Sequence, residues 1–207
     1  MDLTTGIFVV VIIIFSAIIH EVMHGYVADK LGDPTARYAG RLTLNPIPHI
    51  DPVGTIFLPL LLILSHSPIF FGYAKPVPYN PYNLRPGRFS EAAVSFAGPF
   101  SNLCIALLGG LVIRLGLAGP ASDIVFLIVV VNTMLFAFNL IPIPPLDGAK
   151  VFESLLPGRI GLAYGRFLSQ LRYNPMIGML IVIVIIYSLG GIWGNFIYSL
   201  AQLMAGV

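Results

Sequence analysis

Apolar residues occupy this chain in long blocks, not in the alternating or three-to-four spacing of a soluble fold. Blocks at 7–28, 53–71, 92–115, 122–141 and Met176 to Leu189 are separated by polar stretches at 29–51, 72–88 and 149–175. A helix rises about 1.5 Å per residue, so roughly twenty apolar residues cross a hydrocarbon layer of about 30 Å. Residues 7–28, 92–115 and 122–141 are therefore predicted membrane helices. The 53–71 block is broken by Pro59 and holds Ser65, His66, Ser67 and Pro68, so it either spans or dips in and returns. After Leu189, Gly190-Gly191 either divides a span from an interfacial helix with Trp193 and Tyr198 or lies inside one long tilted span.

The polar connections have their own pattern. Gly32, Pro34, Gly40, Pro46 and Pro48 punctuate the first into turns, with a short hairpin expected over Ala36–Leu44. The second, Gly72 to Arg88, is proline-rich and predicts an extended surface loop. In the third, Leu162, Phe167, Leu168 and Leu171 suit a short helix resting on the membrane surface.

Composition agrees with the blocks: 10% of residues are charged, against about a quarter in soluble domains, and mean hydropathy is +0.91. The expected fold is an all-α polytopic membrane protein with four to five transmembrane helices, a re-entrant segment and short interfacial elements. One membrane domain, 1–207, is expected to account for the length, with no appended soluble domain. A net charge of +2 without a basic cluster gives no reason to expect nucleic acid, and membrane lipid is the expected surrounding. The first block has Asp2 in place of a positive leader and lacks a small-residue cleavage site, which argues against a removable signal peptide. Cys104 stands alone in an apolar run and is expected to pack as an apolar thiol.

Ionisable side chains are costly in lipid and mark functional sites there. The first block ends in His20-Glu21-Val-Met-His24. Four residues apart on a helix, His20 and His24 share a face, with Glu21 beside them. Two imidazoles and a neighbouring carboxylate begin a zinc hydrolase site, in which the metal polarises a carbonyl and acidifies water and Glu21 takes the proton. A third ligand is required. Pro142, Pro144 and Pro145 end the 122–141 helix just before Asp147-Gly148, making Asp147 the best candidate, with a plain C-terminal turn as the alternative. His49 and Asp51 either sit beside the site or form a hydrogen-bonded turn at the membrane surface.

Charge bears on topology. If 53–71 crossed, Asp147 would emerge on the face opposite His20 and His24. If it re-enters and returns, Asp147 comes back beside them, and ten of the eleven Lys and Arg residues fall on one side, leaving Arg114 at the opposite boundary. The positive-inside rule makes that side cytoplasmic, which places a multi-pass protein in the cell membrane with its site toward the cytoplasm.

With His20-Glu21-Val-Met-His24 in an N-terminal helix and Asn139-Leu-Ile-Pro-Ile-Pro-Pro-Leu-Asp147-Gly148 after a later one, the chain resembles the site-2 protease family of intramembrane zinc metalloproteases. Asn45-Pro-Ile-Pro-His49-Ile-Asp-Pro-Val-Gly54, Gly72-Tyr-Ala-Lys-Pro-Val-Pro78 and Ala97-Gly-Pro-Phe-Ser-Asn102 extend the likeness to its compact prokaryotic branch, with Tyr73 where that branch has tryptophan. The resemblance implies zinc held by His20, His24 and Asp147, Glu21 as general base, and a transmembrane protein substrate cut in or near its membrane segment. It also implies a catalytic role for Asn139, orienting the scissile carbonyl or stabilising its oxyanion. PDZ and CBS domains, which some relatives carry, are not expected in these residues. Two other readings remain: an inactive zinc-binding membrane scaffold, and a divalent-metal transporter, against which stands the gathering of polar groups near one face.

Overall fold

A computed structural model describes residues 3–57, 60, 61, 64 and 74–207, and these form helices and irregular connections with no strand among them. Eight α-helices follow in order among the described residues: α1 Leu3–Lys30, α2 Thr35–Tyr38, α3 Ser90–Arg114, α4 Ser122–Asn139, α5 Asp147–Leu155, α6 Gly158–Tyr173, α7 Pro175–Leu189 and α8 Gly191–Ala205. The polar 149–175 stretch thus resolves into parts of two helices, α5 and α6.

α3 is the hub, packing against α1, α4, α5 and α8. Small residues let it do so: Ala92, Ala97, Gly98, Ala106 and Gly110 are all buried along it, and small side chains let helix backbones approach where lipid offers no hydrophobic drive. At Gly110 a Cβ would stand 2.5 Å from the Met204 carbonyl, so α8 presses directly on the α3 backbone. Ala106, Val129 and Ala201 join α3, α4 and α8. At the far end of α3, Arg114 donates through Nε to the Met204 carbonyl at 2.8 Å and through Nη2 to Leu203 O. Those carbonyls belong to the last turn of α8 and have no partner within their own helix.

At the other end, Ala28, Leu84 and Val94 cluster where α1 finishes and α3 begins. α3 therefore runs back antiparallel to α1, and α4 returns, which brings the C-terminal ends of α1 and α4 to the same end of the bundle.

Three helical stretches among the described residues are long and apolar enough to cross a membrane: Thr4–Lys30, Ser90–Arg114 and Gly119–Asn139. A fourth arises if α6 and α7, bent by 108°, count as one broken span. The chain is thus an all-α, multi-pass membrane protein. The C-terminal apolar stretch adds no long helix, because Gly190 at φ +51° divides it into two helices of 15 residues, each about 22 Å long against a layer of about 30 Å.

The hairpin expected over Ala36–Leu44 is not formed. Fully buried Asp33 accepts from the Thr35 backbone N–H at 3.2 Å and from Thr35 Oγ1 at 2.5 Å, which starts α2 as a helical turn. Gly40 at φ +66° and the Arg41 N–H to Ala36 O bond then close a tight reversal. Of the 53–71 block, Pro52–Phe57 forms a π-helical turn; Pro59, His66 and the rest of the break, like Tyr73, lie outside the described residues. Its flanks are described, and the Lys75 N–H donates to the His49 carbonyl at 2.9 Å. The chain enters and leaves that block at the same end of the bundle.

Candidate metal centre

His20 and His24 face α3 from the last third of α1, and both are buried. Their rings stand edge to face with centroids 4.7 Å apart. Asp147 is delivered by the turn after α4. Leu146 N–H bonds to Ile143 O and Ala149 N–H to Leu146 O, so the carboxylate starts α5, where the helix dipole favours negative charge. Gly148 makes the turn fit, since a Cβ there would lie 2.3 Å from the Leu140 carbonyl.

Asp147 Oδ2 lies 3.0 Å from His20 Nε2 and 3.3 Å from His24 Nε2. Donor atoms of all three residues fall within 4.8 Å of one another, and theirs is the one such His/Cys/Asp/Glu group found among the described residues. Ligands about 2.0–2.1 Å from a tetrahedral zinc stand about 3.3 Å apart, so the spacing fits that ion. Burial alone would raise the Asp147 carboxyl; the facing His24 and His20 outweigh it and hold the group below the usual carboxylate range.

The outer nitrogens test the fit further. His24 Nδ1 donates to the Val94 carbonyl and His20 Nδ1 donates to Asn102 Oδ1, each at 2.7 Å. Both partners accept only, so each Nδ1 carries the hydrogen, and in the neutral ring each Nε2 turns a lone pair toward Asp147. Two lone pairs and a carboxylate oxygen converging in a buried space fit a cation. Gly98 leaves that space open: a Cβ on it would come within 2.4 Å of His24 Nε2 and 2.5 Å of His20 Nε2.

Glu21 lies in the same turn of α1, and its Oε2 accepts from the Val77 N–H at 2.8 Å. Val77 belongs to an extended, irregular segment over residues 74–80. That segment is fastened by a buried clamp. His49 Nε2 donates to Thr43 O at 2.9 Å, and Arg41 Nη2 donates to Lys75 O at 2.6 Å and lies 3.4 Å from His49 Nδ1. Further along, Tyr79 donates to Glu91 and accepts from Lys150, one turn beyond Asp147, while Asp33 accepts from the Asn80 N–H and from Asn83 Nδ2.

His20, His24 and Asp147 are thus brought together. Asn139 is not in that group; it ends α4 with Nδ2 donating to Leu135 O at 2.9 Å. Asp51 caps a turn, accepting from the Val53 and Gly54 N–H groups. His49 serves the clamp, not the metal group. The residues that back the site from behind, Val94, Val77 and Asn132, had no part in the motif. Two of them act through the backbone and left no side-chain signal, whereas a buried amide in a membrane helix is a signal in itself.

Comparison with known proteins agrees with the geometry. The model of peptidase family M50 matches residues 117–185. YwhC of Bacillus subtilis (strain 168), described as a candidate zinc metalloprotease, is 41% identical over 160 residues, covering 72% of this chain and 69% of its own. Rip2 of Mycolicibacterium smegmatis, described in the same way, is 35% identical over 72% of this chain and 58% of its own, and Rip2 of Mycobacterium tuberculosis (strain H37Rv) is 34% identical with the same coverages. The chain therefore spans under two thirds of the length of the Rip2 proteins. No solved structure matches. With 41% identity to YwhC along most of both chains and buried His20 and His24 meeting a half-buried Asp147 in a group fit for zinc, this chain belongs to peptidase family M50, the site-2 protease family of zinc metallopeptidases.

Proposed function

We propose that the protein is an intramembrane zinc endopeptidase that hydrolyses a peptide bond in or near a transmembrane segment of a membrane protein. The observation that carries this reading is the convergence of His20 Nε2, His24 Nε2 and Asp147 Oδ2 at the buried end of a membrane helix. Zinc held there supplies a Lewis acid for the scissile carbonyl and makes water acidic enough to lose a proton near neutral pH. Glu21 takes that proton and returns it to the leaving amine. Its Oε2 is held by the Val77 N–H, which leaves Oε1 for the transfer. Asn139 uses one amide hydrogen on Leu135 O, and its second is available to the oxygen of the reacting carbonyl.

A helical substrate has its carbonyls tied up in its own hydrogen bonds, so the cut requires local unwinding, which proline or glycine near the bond favours. The single domain 1–207 carries four membrane spans, with 53–71 re-entrant; the His49–Lys75 bond between the flanks of that block supports the re-entry. The bias of ten in eleven basic residues supports a site on the cytoplasmic side.

The paired test is wild type against Glu21→Gln, each purified and assayed for zinc content and for cleavage of a detergent-solubilised transmembrane peptide. Both should hold zinc and only wild type should cut. Equal cleavage removes Glu21 from its role, and absence of cleavage by either over a broad peptide panel would leave a zinc-binding scaffold.

A further inference from the structure

Behind His20 lies a chain of buried amides that the peptidase reading does not use. Asn102 on α3 and Asn132 on α4 are both fully buried. Asn132 Nδ2 donates to the Ile128 carbonyl at 2.9 Å, Asn102 Nδ2 donates to Asn132 Oδ1 at 3.0 Å and to Ser16 O at 3.4 Å, and Asn102 Oδ1 accepts from His20 Nδ1 at 2.7 Å.

The direction of this chain is fixed at its far end. A backbone carbonyl only accepts, so Asn132 must turn its NH2 to Ile128 and its oxygen to Asn102. Asn102 must then turn its own NH2 to Asn132, and its oxygen is left for His20. An amide oxygen only accepts, so Nδ1 of His20 carries a hydrogen, and in the neutral ring that binds a metal the lone pair is on Nε2. Were Asn102 reversed, its NH2 would face Nδ1, the ring hydrogen would move to Nε2, and that hydrogen would point into the metal position.

We infer that Asn102 and Asn132 are positioning residues that set the tautomer of His20 and so tune zinc affinity, Asn102 directly and Asn132 by fixing the orientation of Asn102. The inference rests on zinc being held by His20, His24 and Asp147. Loss of such outer partners typically weakens metal binding by about 10–100-fold.

The test compares zinc affinity, by chelator competition on monodisperse protein in detergent, for wild type, Asn102→Asp, Asn102→Leu and Asn132→Leu, with Asp147→Ala as the reference for a broken site. Asp and Leu are close to Asn in size. Asp keeps the acceptor for Nδ1–H but loses the donor to Asn132 Oδ1, and Leu keeps only the packing. Positioning requires Asn102→Leu to lose about 10–100-fold, and both Asn102→Asp, which still accepts from Nδ1–H, and Asn132→Leu to lose less. A packing role gives the reverse order, because Leu is tolerated in an apolar bundle and a buried carboxylate is not. That reversed order overturns the inference, as do equal affinities or equal losses in the two Asn102 variants. In zinc-free Asp147→Ala protein labelled with 15N-histidine, which lacks the carboxylate 3.0 Å from His20 Nε2, adding Asn102→Leu should move ring hydrogen from Nδ1 toward Nε2 of His20; an unchanged tautomer overturns the inference on its own. If wild type binds zinc no better than Asp147→Ala, it is the metal reading that fails.

Discussion

The two sides of the site are built from different material. On the metal side, His20 and His24 are backed by α3, through the Val94 carbonyl, the Asn102 amide and the bare backbone at Gly98. On the base side, Glu21 is backed by one N–H of an irregular segment, held by Arg41 and His49. Helix packing admits few arrangements and a close-packed bundle does not deform smoothly, so the metal side has little freedom. The base side is adjustable because its support lies outside the helices. Ligand geometry and proton transfer can then be damaged separately.

The largest expected effect lies on the metal side. Gly98→Ala puts a methyl group where the two Nε2 atoms converge, so zinc content should fall close to zero, while Gly6→Ala, with nothing within 4 Å of its Cβ, should change nothing. Metal analysis after identical purification decides between them. Full occupancy in Gly98→Ala would mean that α3 does not press on the imidazoles.

Next come the ligands themselves. His20→Ala, His24→Ala and Asp147→Ala each remove one of three donors and should sharply reduce zinc retention, whereas His49→Ala should affect it much less, since that ring donates to Thr43 O. Zinc lost in His49→Ala but kept in Asp147→Ala would transfer the ligand role to the early loop.

The base side should respond in the opposite sense. Val77→Pro deletes the N–H that holds Glu21 in a segment already extended at Pro76 and Pro78. Zinc content should persist while kcat falls by about 100-fold, the scale of a misplacement near 1 Å. Arg41→Ala and His49→Ala should give smaller falls of the same kind. A parallel loss of metal and turnover in Val77→Pro would show that the two sides are one unit.

The smallest effect concerns pH. Burial works against the Asp33 charge, but hydrogen bonds from the Thr35 hydroxyl, the Asn80 N–H and Asn83 outweigh it and hold its carboxyl below its ordinary value. A depressed folded-state value stabilises the protein above the unfolded-state value of about 3.9, and that contribution is lost as pH falls through the lower folded one. The thermal stability of wild type should therefore fall below about pH 4, and Asp33→Asn should flatten that part of the profile. Identical profiles would mean that the carboxylate does not carry the loop.

His20, Glu21 and His24 were legible in the sequence because an interval of four residues fixes a shared helix face regardless of tertiary context. Asp147 was legible because Pro142, Pro144 and Pro145 end the preceding helix just before it. Asn102 was visible only as the end of the Ala97–Asn102 segment of the family likeness. Its pairing with Asn132 depends on which faces of α3 and α4 meet, and no single periodicity encodes that. Gly98 lay in the same segment; that the imidazoles press on it follows from the crossing of α1 and α3. The Ala36–Leu44 hairpin was misread because local punctuation does not reveal that Asp33 would cap a helical turn. Four to five spans were anticipated from apolar length alone, whereas one backbone conformation at Gly190 leaves α7 and α8 too short to count singly.

The hydrogen bond between His49 O and Lys75 N has an entropic side. It closes a loop around the segment between those residues, and closure cost grows only logarithmically with contour length, by about 0.6 kcal/mol for each doubling. A change in the length of that stretch therefore alters the closure cost itself little, provided the bond and the Arg41 clamp remain. Evolution can rewrite that stretch without touching the coordinates of His20, His24 or Asp147, so diversity among close relatives should concentrate there while the metal centre stays constant.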